Sequence, residues 1–242
     1  YLDRKVVHFA YFYVLWMTIQ FATKGYGIYQ DMGAAGLLQS YVLGLIQPFG
    51  TLWFIYMLAV FFVVAKALRP VSPWLVFGAA ALLEIAPVET GSILVDEFAA
   101  RFVYFHAGYW MARHVFAFAA AVDRKSMAAI VAGLFIWGAV NGTLVHSGWS
   151  TVPVASLMLG FVGAAAVVSM CVLLSKTRLA APIRYCGQNS IVIYLTFFFP
   201  MTFLERTLAA KGWIPDVGWA CFAILAISAG TPLLFHLAIK KT

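Results

Sequence analysis

The chain has 242 residues, of which 64% are hydrophobic, 17% aromatic and only 10% charged, with a mean hydropathy of +0.92 and a net charge of +7. Soluble domains carry about 25% charged residues, so a water-facing surface of this size is excluded. The basic residues are scattered between apolar runs instead of gathered on one stripe, which excludes a nucleic-acid face.

Apolar runs of spanning length fall at about 6–23, 50–68, 72–90, 99–118, 127–145, 152–175, 188–208 and 217–239. Charges, Pro or Gly bound them: Lys24-Gly25, Pro48, Arg69-Pro70, Glu89-Thr90-Gly91, Asp123-Arg124-Lys125, His146-Ser147-Gly148, Lys176 to Arg184, Lys211-Gly212 and Lys240-Lys241. Backbone polar groups must be paired in hydrocarbon, which leaves helices or closed barrels. Runs of about 20 residues without alternation of period two exclude the barrel. The stretch 33–47 is shorter and carries Gln39, Ser40 and Gln47, so it reads as an interfacial or re-entrant helix before Pro48. The expected fold is all-α: a polytopic membrane helix bundle of about eight transmembrane helices, a single membrane-embedded domain over residues 1–242.

Orientation follows from counting charge. With Arg4-Lys5 on the cytoplasmic side and eight alternating runs, the inner loops hold Arg4, Lys5, Lys66, Arg69, Arg113, Arg124, Lys125, Lys176, Arg178, Arg184, Lys240 and Lys241. Of the 16 basic residues, only Lys24, Arg101, Arg206 and Lys211 remain outside, where Asp31, Glu89, Asp96, Glu97 and Asp216 collect. Both ends of the chain are therefore expected in the cytoplasm. Cys171, Cys186 and Cys221 lack metal-like spacing, the five histidines at 8, 106, 114, 146 and 236 are dispersed, and no bound cofactor is expected. Gly138-x-x-x-Gly142 has the spacing of close helix packing.

Four stretches carry a resemblance. They are Arg4-Lys5 followed by Phe9 to Trp16, then Leu52-Trp53-Phe54, then Phe102-Val103-Tyr104-Phe105-His106-Ala107-Gly108-Tyr109, and last Gly187-Gln188-Asn189-Ser190-Ile191-Val192-Ile193-Tyr194-Leu195. The last resembles the Gly-x-Asn-Ser-(Leu/Ile)-x-(Ile/Leu)-Tyr-Leu signature of the acyltransferase-3 family of integral-membrane acyltransferases. The resemblance implies a bundle of about ten helices moving an acyl group, often acetyl, from cytoplasmic acyl-CoA to the hydroxyl of an envelope saccharide or lipid-linked glycan in a bacterial inner membrane. Acyl-CoA (acetyl-CoA) is then the donor substrate, and the bilayer and a saccharide acceptor are the partners, without nucleic acid. The family's first two spans precede the basic pair, so the chain reads as truncated at its N-terminus. By the same resemblance its catalytic Arg and His are expected on the first of those helices, which makes this piece inactive by itself. Where the family often has a His after Tyr-Leu, this chain has Phe197.

Ionisable groups inside spans are costly and mark sites, pathways or buried pairs. Glu84, Arg101 and His106 are the catalytic candidates of this chain, facing a polar cavity on the acceptor side. The plainer reading pairs Glu84 with Arg101 across antiparallel helices and leaves His106 hydrogen-bonded in the bundle. Asn189 and Ser190 open a helix, where they cap it or contact a CoA phosphate. Arg4 and Lys5 either neutralise CoA phosphates or only set topology. Two other functions fit a bundle of this size: a secondary transporter or permease, for which Pro200 and Pro232 break late helices without matching breaks in the first half, and a non-catalytic membrane paralogue, which Phe197 favours.

Overall fold

The computed structural model describes residues 2–178, 180–205, 207 and 216–240, with side chains for 6–178, 180–205, 207 and 216–235. Every regular element among them is helical: α1 (Leu2–Ile46), α2 (Trp53–Ala67), α3 (Pro73–Ile85), α4 (Ile93–Trp110), α5 (Ala112–Asp123), α6 (Met127–His146), α7 (Pro153–Ser175), α8 (Ala180–Gln188), α9 (Ser190–Thr196), α10 (Phe198–Leu204) and α11 (Val217–Lys240). The chain is an all-α membrane helix bundle. It divides into two compact units, Tyr1–Lys176 with α1 to α7 and Thr177–Thr242 with α8 to α11.

Four helical stretches among the described residues are long and apolar enough to cross a bilayer: Val6–Ala67, Met127–His146, Pro153–Ser175 and Val217–Phe235. The first takes in two of the expected runs and the short stretch between them. Their apolar side chains point outward, with Phe135 78% exposed on α6 and Val154 57% exposed on α7. That surface suits hydrocarbon and would be untenable in water.

The other three expected runs are not single helices, and each break has a local cause. In 72–90, α3 stops after 13 residues because Ala86 turns extended (φ −70°, ψ 136°) ahead of Pro87. In 99–118, Met111 leaves helical geometry (φ −91°, ψ 13°) and divides α4 from α5, and α4 begins earlier, at Ile93. In 188–208, Asn189 (φ −108°, ψ 18°) separates α8 from α9, and α10 restarts at Phe198 with Pro200 in its first turn, where no backbone donor is needed.

The long helix α1 is two arms, 2–32 and 34–46, meeting at Gly33, whose φ of 68° only glycine adopts freely. The second arm folds back along the first. The Thr18 hydroxyl and Tyr41 phenol lie 2.9 Å apart, the Phe21 and Tyr41 rings meet edge to face at 5.3 Å, and the Tyr13 phenol donates to the Gly44 carbonyl. Thirteen residues make an arm of about 20 Å, short of the ~30 Å hydrocarbon core. It stops level with Tyr13, the chain turns through 47–50, and α2 leaves antiparallel to the first arm, with Tyr56 against Tyr13 and Phe62 stacked on Phe9. The stretch 33–47 is thus a short helical arm packed on the first arm, and beyond the turn α2 continues in the same direction. Irregular backbone at membrane depth must be satisfied by protein, and here it is. The Phe49 N–H donates to the Tyr13 phenol at 3.0 Å, and the Tyr56 hydroxyl donates to the Ile46 carbonyl at 3.1 Å.

The core of the first unit joins α2, α3, α4 and α7 through Met57, Phe61, Val76, Ala80, Phe102, Val103 and Leu157. Phe61 is its hub, with its ring 5.2 to 5.8 Å from those of Phe98, Phe102 and Phe105.

Ahead of α4, the Asp96 carboxylate accepts from the Thr90 amide and hydroxyl, each at 2.8 Å, and from the Gly91 amide at 3.1 Å. Those three donors favour the ionised form and hold its pKa below the usual carboxylate range. A depressed folded pKa stabilises the turn above the unfolded value of about 4 and loses that contribution as pH falls through the folded value. Amide exchange at Thr90 and Gly91, corrected for intrinsic rates, should therefore accelerate in acid, and Asp96→Ala should show the fast rates already at neutral pH.

Candidate functional site

The three ionisable candidates take separate partners. Glu84, at the end of α3, accepts from the Tyr104 phenol of α4 at 3.3 Å, while its second oxygen is buried without a hydrogen-bond partner. Arg101 does not pair with Glu84. One turn along α4 it forms an ion pair with Glu97, and its guanidinium lies 4.7 Å from the centre of the Trp53 ring. The reason is reach: Glu97 lies at i−4 on the same face of α4, whereas the Glu84 carboxylate is held by Tyr104. His106 is buried between Phe102 and Trp110, and its Nε2–H donates to the Pro73 carbonyl at the start of α3, 3.2 Å away. Its Nδ1 is then the basic nitrogen, buried and without a partner.

Tyr104 reaches Glu84 only because α7 presents a glycine. A Cβ on Gly160 would collide most closely with the Tyr104 hydroxyl and would lie 2.7 Å from Cε1 and 2.8 Å from Cζ of its ring. Sequence reasoning gave Gly160 no role, and Tyr104 none beyond the stretch that carries the family resemblance. The available signal was a phenol and a carboxylate on consecutive runs, with glycine the one residue in a third run thin enough to admit the ring.

A second polar site lies at the turn before α2. Gln20 is fully buried in α1; its Nε2 donates to the Thr51 hydroxyl at 3.1 Å and its Oε1 has no partner. Gly50 adopts φ 56° there, with Lys24 Nζ 3.2 Å from where a Cβ would stand. Sequence reasoning also missed Gln20, although an amide inside an otherwise apolar run is a readable signal.

In the second unit, Asn189 works backward instead of capping α9. Its Nδ2 donates to the Tyr185 carbonyl at 2.8 Å, which closes α8, and α9 has no side-chain cap. Ser190 is the first residue of α9. Phe197 joins α9 to α10 with its ring 6.3 Å from that of Tyr194. Arg4 and Lys5 lie on the first turn of α1, and their side chains fall outside the described residues, as do Arg206 and Lys211. Lys176 ties two loops at one end of the first unit, pairing with Asp123 at 3.4 Å and donating to the Lys125 carbonyl at 3.1 Å.

A family model described as an acyltransferase domain of the acyltransferase-3 type matches residues 1–235. Neither a curated protein nor a solved structure matches the chain.

Proposed function

Because the chain belongs to the acyltransferase-3 family, we propose that its protein moves an acyl group, acetyl in the simplest case, from acyl-CoA to a hydroxyl of a cell-envelope saccharide or lipid-linked glycan in a bacterial inner membrane. The observation that carries this reading is the family match, which covers both compact units. The stretch Gly187 to Leu195 adds the family's most specific motif. In the reaction, a base takes the proton of the acceptor hydroxyl as its oxygen attacks the thioester carbonyl. The C–S bond breaks, CoA leaves as its thiolate and takes up a proton, and donors around the carbonyl oxygen stabilise the developing oxyanion.

The excess of basic residues on one side supports a cytoplasmic position for Arg4 and Lys5, and their proposed role is to neutralise the phosphates of CoA; Asn189 and Ser190 are proposed as further donors on that side. Reversing both charges with Arg4→Glu and Lys5→Glu should raise the apparent KM for acetyl-CoA by about tenfold or more, each lost charge-assisted contact being worth about 1.5–3 kcal/mol. An unchanged KM would leave the pair a topology signal only.

Within this chain Glu84 is the group assigned to the acceptor side, through Tyr104. Arg101 and His106 are assigned to positioning, since each is held by its own neighbour. His106→Gln retains an N–H for the Pro73 carbonyl and removes the imidazole. It should keep kcat/KM within about twofold in the full-length protein, whereas loss of a general base costs about 10²–10⁴-fold.

A further inference from the structure

Serine and threonine inside helices ordinarily turn their hydroxyls onto their own backbone. Thr18, Thr143, Ser147, Ser169, Thr196 and Thr231 do so, each donating to a carbonyl three or four residues back. Ser150 and Ser156 do not. They are half-buried, as is Asn141, and none of these three side chains bonds another described residue.

All three line one shallow, open cleft of about 600 Å³, with Tyr104, Gly160 and the apolar Leu159 and Ala164 in the same wall. The cleft lies where the end of α6, the turn at Trp149–Thr151 and the first turns of α7 meet α4. Its size is that of a small-molecule site. No Lys, Arg, Asp or Glu lines it, so nothing there favours a phosphate or a carboxylate. A pure hydrocarbon chain would leave an amide and two hydroxyls unanswered, at a cost of about 1–3 kcal/mol for each group buried without a partner. What the lining offers is neutral and two-sided: an amide that donates and accepts, two hydroxyls, and a phenol whose proton is committed to Glu84 while its oxygen still accepts. Ring hydroxyls, which also donate and accept, are the complement of such a wall.

We infer that this cleft seats a saccharide ring, whose hydroxyls pair with Asn141, Ser150, Ser156 and the oxygen of Tyr104. Naming that ring as the acyl acceptor rests on the proposed function; the binding itself does not.

The test is thiol protection in the full-length protein in nanodiscs. All native cysteines of the full-length protein, Cys171, Cys186 and Cys221 among them, are replaced by Ala, and Ala164→Cys supplies a reporter in the cleft, with Leu159→Cys as a second reporter should the first fold poorly. Maleimide labelling is timed with methyl β-glucoside in solution, and separately with a glucosyl diacylglycerol in the bilayer. A millimolar site corresponds to about 4 kcal/mol of binding and should slow labelling several-fold near saturation. Asn141→Ala with Ser156→Ala should remove the protection. Protection by the soluble glycoside or by the glycolipid supports the site and identifies which source it accepts. No protection by either, equal protection by glycerol at matched osmolality, or protection that survives the double substitution would overturn it. Protection without acyl transfer would keep the site and remove the proposed function; transfer without protection would do the reverse.

Discussion

Tyr13→Phe should destabilise the protein by about 2–5 kcal/mol although it removes a single oxygen. That oxygen joins two backbone groups on either side of the turn before α2, donating to the Gly44 carbonyl and accepting from the Phe49 N–H at 3.0 Å. Tyr13 is only 3% exposed, so water does not replace it, and each orphaned backbone group costs about 1–3 kcal/mol. The ring itself keeps its edge-to-face contact with Tyr56 at 4.9 Å, which confines the loss to hydrogen bonding. Tyr11→Phe is the control: Tyr11 is 62% exposed, and its change should stay within about 0.5 kcal/mol. Unfolding in mixed micelles measures both. Equal effects at 11 and 13 would mean that the turn at 47–50 does not depend on the phenol.

Gly160→Ala should be the next most damaging change, and its signature is in the rescue. The new methyl would meet the Tyr104 hydroxyl most closely and the ring at Cε1 and Cζ, at 2.7 and 2.8 Å, so the side chain must swing out and release Glu84. Overpacking of this kind costs about 1–3 kcal/mol, and it leaves the Glu84 carboxylate without the Tyr104 phenol as donor. Adding Tyr104→Phe should restore only part of the stability, because it removes the hydroxyl, the closest contact, but leaves the colliding ring carbons. Adding Tyr104→Leu should restore much of it, since the ring is gone. If phenylalanine rescued as well as leucine, the hydroxyl alone would be the obstruction and the packing account would be wrong. Under the proposed function, Gly160→Ala should also raise KM for the saccharide acceptor while leaving KM for acetyl-CoA unchanged, because Tyr104 borders the cleft and has no part in the proposed CoA contacts.

The fold class was legible because hydrocarbon imposes one rule, a long apolar helix, and that rule is written into composition. The stretch 33–47 was legible as a short helix of its own for the same reason, being too short to cross and interrupted by Gln39, Ser40 and Gln47. The breaks at Met111 and Phe197 were not. Neither residue is a helix breaker, and Pro200 acts through position, beginning a new helix instead of kinking an old one. Among site residues, charge made Glu84, Arg101 and His106 visible, yet charge says nothing about partners. Arg101 found Glu97 within its own helix, and Glu84 found a phenol from the next. Gly160 was invisible because its contribution is an absence of side chain, meaningful only once α4 and α7 are side by side. The hydroxyls of Ser150 and Ser156 resemble any others in sequence; only geometry distinguishes them from those turned onto their own helix.

The most direct measurement follows the acyl group itself. Membranes containing the full-length protein are given acetyl-CoA labelled in the acetyl carbons, and the label is traced into the glycan and lipid-linked saccharide fractions. The account predicts label in a saccharide fraction, removable by mild base as an ester is, with matching release of CoA. Label that stays in acetyl-CoA, in membranes where the folded protein is demonstrably present, would contradict it.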